Sequence, residues 1–172
     1  MMRAWHVLIT VLMATALGVT ALQCTHRAPH RPGQLSQLNQ AELVLPTGQA
    51  VQIFIAQTPA QRFQGLSEVR PEAFSPAQGM LFVYSRPGRR VFSMRRTYFD
   101  LDIFFLNSKK RVVAAHRDLP HHPDSNSNHR LRKTPPVRCR YVLEMRADSD
   151  LAEKIHPGMH LQWQLPAPST QP

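Results

Sequence analysis

A mainly β, compact single domain, barrel-like or sandwich-like with one or two short helices, is what this sequence predicts, and three observations carry that expectation. Fifteen prolines and only 8% aromatic residues accompany a 42% hydrophobic fraction, which suits many turns around one core better than long helices. Short segments such as Val51, Ile53 and Ile55 against Gln52 alternate with period two. Turn-forming pairs and triplets, Pro46-Thr47-Gly48 and Ser108-Lys109-Lys110 among them, separate these segments. A chain of 172 residues is long enough for one real core.

The elements follow in order. Met1-Met2-Arg3 precedes Ala4-Trp5 and a mostly apolar run from Val7 to Leu22, shorter than the roughly 20 residues that span a bilayer, so residues 1–23 read as a secretory signal. Cys24 follows Ala21-Leu22-Gln23, which resembles a bacterial lipoprotein cleavage box and makes Cys24 the candidate lipidation site. Gln23, however, stands where a small residue is usual. A cut after Val19-Thr20-Ala21 and an uncleaved N-terminal membrane anchor are the rival readings. Residues 24–40 are polar and proline-bearing, as a tether would be, and the domain is expected over 41–166 with a disordered tail at 167–172.

Within the domain, Glu42 to Leu45 and Ala50 to Ala56 make a hairpin. Thr58 is the expected N-cap of a short helix with Pro59 at its first position, closed by Gly65, with Phe63 and Leu66 as its buried contacts. Residues 67–78 read as loop. Gly79 to Tyr84 is apolar on both faces and therefore a central strand, after which an Arg86-Pro87-Gly88-Arg89 turn is expected to lead into Val91 to Met94. Leu101 to Asn107 and Arg111 to His116 form a second hairpin. A long loop over 117–138 precedes a strand from Cys139 to Arg146, a short helix capped by Ser149, a Pro157-Gly158 stop and a last strand around His160 to Leu165.

The charge is lopsided, 21 Lys and Arg against 11 Asp and Glu, and the cations cluster around Arg86–Arg96, Lys109–Arg111 and Arg130–Arg140. Such patches draw polyanions, and for an exported protein the expected partners are an anionic envelope polymer or anionic lipid. A basic surface kept for solubility is the plain alternative. No nucleic-acid module, Gly-rich phosphate loop or internal repeat is present, so nucleic acid is not an expected partner. Two cysteines, Cys24 and Cys139, exclude a disulfide scaffold. Cys139 reads as a buried inert thiol, or as the partner of an unlipidated Cys24.

Four segments carry a resemblance: Arg62 with Gly65-Leu66; Gly79-Met80-Leu81-Phe82; Phe92, Met94 and Thr97 before Leu101-Asp102-Ile103; and Tyr141-Val142-Leu143-Glu144 with the later Pro157-Gly158 turn. In this order they resemble the family called domain of unknown function 192, small bacterial and archaeal proteins that are often exported, over about residues 50–165. The resemblance implies a compact β-rich fold and no settled activity. The chain departs from the family pattern at Ser67 (usually Met), Ser93 (Trp), Arg95-Arg96 (Lys-Asn), Asp100 (Pro) and Asp148 (Gly), which puts any shared ligand site in question.

Chemistry concentrates on Asp102 and Glu144, carboxylates set in otherwise buried strand sequence, where a bare charge costs several kcal/mol or more. An arginine fork, Arg62 above all, is expected to hold one of them. With Arg95 and Thr97 these residues define the candidate binding pocket: Arg62, Arg95, Thr97, Asp102 and Glu144. The competing scheme uses Asp102 and Glu144 as the acid and base of an envelope glycan hydrolase, and a third reading is a structural lipoprotein without ligand. His121, His122, His129 and Asp124 lack a metal-ligand spacing, and Met80 and Met94 read as core rather than copper ligands, so neither metal nor cofactor is expected. Ser93 and Thr97 sit in no nucleophile motif. The sequence is thus expected to encode a binding or accessory module at the cell envelope, with no catalytic residue assigned.

Overall fold

The computed structural model describes residues 35–123 and 131–166. The expected signal, Cys24, most of the tether, Asp124, His129 and the tail lie outside the described residues. Seven strands form one sheet: β1 (Asn39–Val44), β2 (Ala50–Ala56), β3 (Gln78–Arg90), β4 (Leu101–Leu106), β5 (Val112–Leu119), β6 (Val137–Arg146) and β7 (Gln162–Trp163). Two short helices, α1 (Pro59–Gln64) and α2 (Asp150–Glu153), and a single 3₁₀ turn at Pro71–Ala73 complete the order. The fold is mainly β, as the sequence predicts.

The sheet runs β5-β4-β6-β3-β2-β1-β7, with β3 at its centre. Every pairing is antiparallel except β2 with β3, which the α1 crossover makes parallel. The sheet curls into a half-barrel: the start of β5 meets the segment before β7, where the amides of Val112 and Gly158 reach Met159 O and Val112 O, each at 2.8 Å. Curling gives two apolar layers. Leu43, Val51, Ile53, Ile55, Phe104, Leu143 and Trp163 fill one face of the sheet. Phe54, Met80, Phe82, Ile103, Phe105 and Val142 lie on the other, covered by the α1 region and the segments around Val69, Phe74, Met94 and Phe99. The alternation of β2 produces this split, because successive side chains of a strand point to opposite faces.

Local chemistry sets the connections. Thr58 Oγ1 accepts from Gln61 N at 3.2 Å while Gln61 Oε1 accepts from Thr58 N at 2.9 Å, a reciprocal cap with Pro59 at the first helical position. Ser149 caps α2 through the Ala152 amide. Three expectations need correction. Phe63 is not a buried contact of α1: it is 79% exposed, because a helix of six residues presents too narrow a face to bury it together with Leu66. The chain does not turn at Arg86-Pro87-Gly88-Arg89; β3 continues to Arg90, its ladder with β6 irregular between Val83 and Gly88 and resumed at Gly88–Cys139. Pro87, which has no amide to donate, falls in that irregular stretch. Residues 91–94 are accordingly no strand of their own and are linked to residues 132–134 by single bridges and amide contacts.

Candidate functional site

One cleft, of about 280 Å³, opens on the face of the sheet that α1 covers, between α1 with the following turn, the segment 91–97, and strands β3 and β6. The first wall is α1. Its Arg62 guanidinium donates to Val83 O at 3.0 Å and to Gln57 O, and lies over the Tyr84 ring at 4.8 Å, so Arg62 clamps the helix to β3. Gly65 then reverses the chain with φ of +50°. A Cβ there would sit 3.1 Å from Phe82 Cζ, so glycine is what lets the turn pass over the cleft's apolar base.

The second wall is the segment 91–97. Thr97, buried, donates through Oγ1 to Met94 O at 2.8 Å and accepts from the His122 amide at 3.2 Å. Two cross-links tie this wall to the first: Ser67 Oγ donates to Arg95 O at 2.9 Å, and the Glu68 amide donates to Arg96 O at 2.7 Å. The Glu68 and Arg96 side chains form an ion pair above them. Both residues adopt left-handed backbone, φ of 64° and 54°, a conformation that costs on the order of 1–3 kcal/mol for a side-chain-bearing residue and is held here by the surrounding contacts.

Glu144 is the floor. Alternation along β6 sends Val142 and Glu144 to this face and Tyr141, Leu143 and Met145 to the other. The register places Glu144 between Met80 and Ile103, both fully buried. It is 5% exposed. Among the described residues its carboxyl makes no ion pair and no hydrogen bond. Burial alone pushes its pKa up to about 8, so at neutral pH it is a neutral acid with an O–H to give and lone pairs to share. Burial likewise raises the Tyr84 phenol, partly opposed by Arg90 and Arg62 and reinforced by Cys139 and Glu144.

The five residues expected to form one pocket separate into two groups. Arg62, Arg95, Thr97 and Glu144 line the cleft. Asp102 does not. It pairs with Met145 in register while Glu144 pairs with Ile103, so the pleat puts the two acids on opposite faces. Arg62 holds neither carboxylate. Asp102, 2% exposed, accepts from Arg117 Nη1 at 2.5 Å and from the Asp118 amide at 2.9 Å. Arg117 also donates to Ala152 O at 2.9 Å and Ile155 O at 2.5 Å, tying α2 to the sheet. Sequence reasoning missed Arg117 as the partner of Asp102, and Tyr84 and Phe92 as cleft-lining residues. The hairpin register held the signal for Arg117: Leu101 faces Leu119 and Ile103 faces His116, which sets Arg117 and Asp118 across from Asp102 at a bulge.

Cys139 is buried on β6, and burial raises its thiol to about 11, which makes it unreactive at neutral pH. His121 pairs with Asp100 through Nδ1 at 2.6 Å, and among the described residues no cluster of His, Cys, Asp and Glu has the arrangement of a metal site. Among the same residues no helix is long and apolar enough to cross a membrane.

Residues 43–163 match the family model DUF192, described as "Uncharacterized ACR", and the chain belongs to that family. No curated protein matches it. The fold is similar to a solved Sinorhizobium meliloti protein described as a candidate transcription regulator: TM-score 0.59, 25% identity, 73% of this chain and 95% of that chain covered. A Novosphingobium aromaticivorans protein of unknown function is similar at TM-score 0.59 and 21% identity, over 73% of this chain and 85% of that one.

Proposed function

We propose that this DUF192 member is an exported cell-envelope binding module that takes a small, oxygen-rich polar ligand in the cleft above Glu144. The observation that carries the reading is Glu144 itself: an acid buried in apolar strands, open only to the cleft, and left without a protein partner. A ligand oxygen in the cleft would accept the carboxyl proton in an apolar setting, where such a hydrogen bond is stronger than in water. The other cleft groups agree with a ligand that is neutral or anionic. Arg62 on α1 and Arg95 on the facing segment make the walls cationic, while the half-buried Phe92 supplies an apolar surface for the ligand. The N-terminal apolar run of the sequence supports the envelope location. The glycan-hydrolase alternative needs both carboxyls at one bond, and Asp102 faces away from the cleft.

The test is a ligand-observed NMR screen of small saccharides and small amines against the full chain and Glu144→Gln, at about pH 6 and about pH 9, on either side of the acid's raised pKa. Tyr84 on β3 lines the same cleft, and its pKa is also raised. Saccharides are expected to bind at the lower pH and to be released at the higher, and Glu144→Gln, which keeps a neutral donor, to bind them at both. Amines binding more tightly as pH rises, or no compound binding at either pH, would overturn the reading.

A further inference from the structure

The mouth of the cleft carries a second feature, independent of Glu144. Residues 88–94 run alongside residues 132–139: Gly88, Arg89 and Arg90 pair with Cys139, Arg138 and Val137, the amides of Thr134 and Met94 reach Phe92 O and Arg132 O, and Ser93 bridges Lys133. Neither segment contains an Asp or a Glu. Arg89, Arg95, Arg132, Lys133 and Arg138 are all exposed, and none forms an ion pair among the described residues. Arg89 stands directly opposite Arg138, an arrangement that costs stability in a β ladder. Nothing within the described residues answers this charge.

Exposed apolar side chains accompany the cations. Phe63, 79% exposed, and Val91, 52% exposed, are the two most exposed large hydrophobic residues described, and both line the same cleft. The Arg95 guanidinium lies 5.8 Å from the Phe63 ring. A soluble polyanion would use the cations and gain nothing from Phe63 or Val91. A bilayer interface takes both, its anionic headgroups meeting the arginines while ring and aliphatic side chains enter the headgroup boundary.

We propose that the cleft mouth, where Phe63 and Val91 stand with Arg95 and with Lys133 opposite Ser93, docks on an anionic lipid surface. The docking residues differ from the group that defines the ligand reading, so either proposal can fail alone.

The experiment uses the full chain with Cys24→Ser and Phe63→Cys, labelled at position 63 with an environment-sensitive fluorophore; the buried Cys139 stays unlabelled. A parallel label replaces Val113, exposed on β5 outside the cleft lining. On phosphatidylcholine vesicles containing phosphatidylglycerol, the label at 63 is expected to shift to the blue and to be shielded from an aqueous quencher. On phosphatidylcholine alone it is expected to remain exposed, and the label at 113 to remain exposed on both. Neutralising the cleft-side cations with Arg95→Gln and Lys133→Gln is expected to weaken the response by on the order of tenfold, as is expected for two surface charges at an anionic membrane. A label at 63 that stays quenchable on the anionic vesicles, or responds equally to neutral ones, overturns the proposal. So does an equal blue shift with soluble dextran sulfate, which would identify a polyanion site instead.

Discussion

Asp102 and Glu144 are two buried acids on adjacent strands, one residue apart in register, and the fold treats them in opposite ways. Asp102 meets a guanidinium and a main-chain amide, and the same Arg117 reaches the last carbonyls of the α2 region, so this acid belongs to a closed network in which each charge is answered. Glu144 meets Met80, Ile103 and an open cleft, and no protein group answers it. Because the pleat alternates, a shift of one position decides between a structural tie and a poised, neutral acid. A carboxylate in strand sequence is thus not a site by itself; what matters is whether the opposing face supplies its partner.

The largest effect that tests the contrast is on the structural side. Asp102→Asn is expected to cost about 3–5 kcal/mol, since it leaves Arg117 without its anion, and the loss should show in denaturant midpoints near neutral pH. Adding Arg117→Met is expected to cost less than the sum of the two single changes, a coupling read by a double-mutant cycle. If Asp102→Asn proves neutral, the tie is not structural.

Glu144 gives the next effect, with a pH signature. Its native pKa lies above its unfolded value, about 8 against 4.5, so between those values the native state holds a proton that the unfolded chain has released. Stability contributed by this group is full below 4.5, falls as pH rises through the window and levels off above about 8, a change on the order of a few kcal/mol. Glu144→Gln is expected to remove that slope and to match or exceed the parent in stability near pH 8. Thermal melts across the window check it; parallel slopes for the two proteins would count against a buried neutral acid.

The smallest effect is at the rim. Glu68→Gln breaks the Arg96 pair, but both side chains are well exposed, so the expected cost is under about 1 kcal/mol and fades with added salt. A larger loss would mean that the left-handed backbone at Glu68 and Arg96 depends on the ion pair rather than on the Glu68 amide contact.

Much of this architecture was legible in the chain. Period-two alternation located β2 and its two faces, and the Thr58-Pro59 start and Gly65 stop bounded α1, because those signals act over a few residues. Length was harder to read. β3 passes through Arg86-Pro87-Gly88-Arg89 without turning, since the returning ladder of β6 overrides the local turn preference there. The candidate site was legible in part: Arg62, Arg95, Thr97 and Glu144 share the cleft. Grouping Asp102 with them failed because the face of a strand residue depends on cross-strand register, and the β4–β5 bulge that brings Arg117 to Asp102 leaves no composition signal. Exposure of Phe63 escaped notice for a related reason: an apolar residue on a two-turn helix reads as core until the width of the covered face is known.

The protonation of Glu144 tests the account most directly. Carbon-13 NMR of the glutamate side-chain carboxyls, with Glu144→Gln to assign the resonance, follows its titration in the folded protein. A midpoint near 8 is the expected result. A midpoint in the ordinary glutamate range, near 4.3, would show an ionised and therefore answered carboxylate, and the contrast with Asp102 would fall.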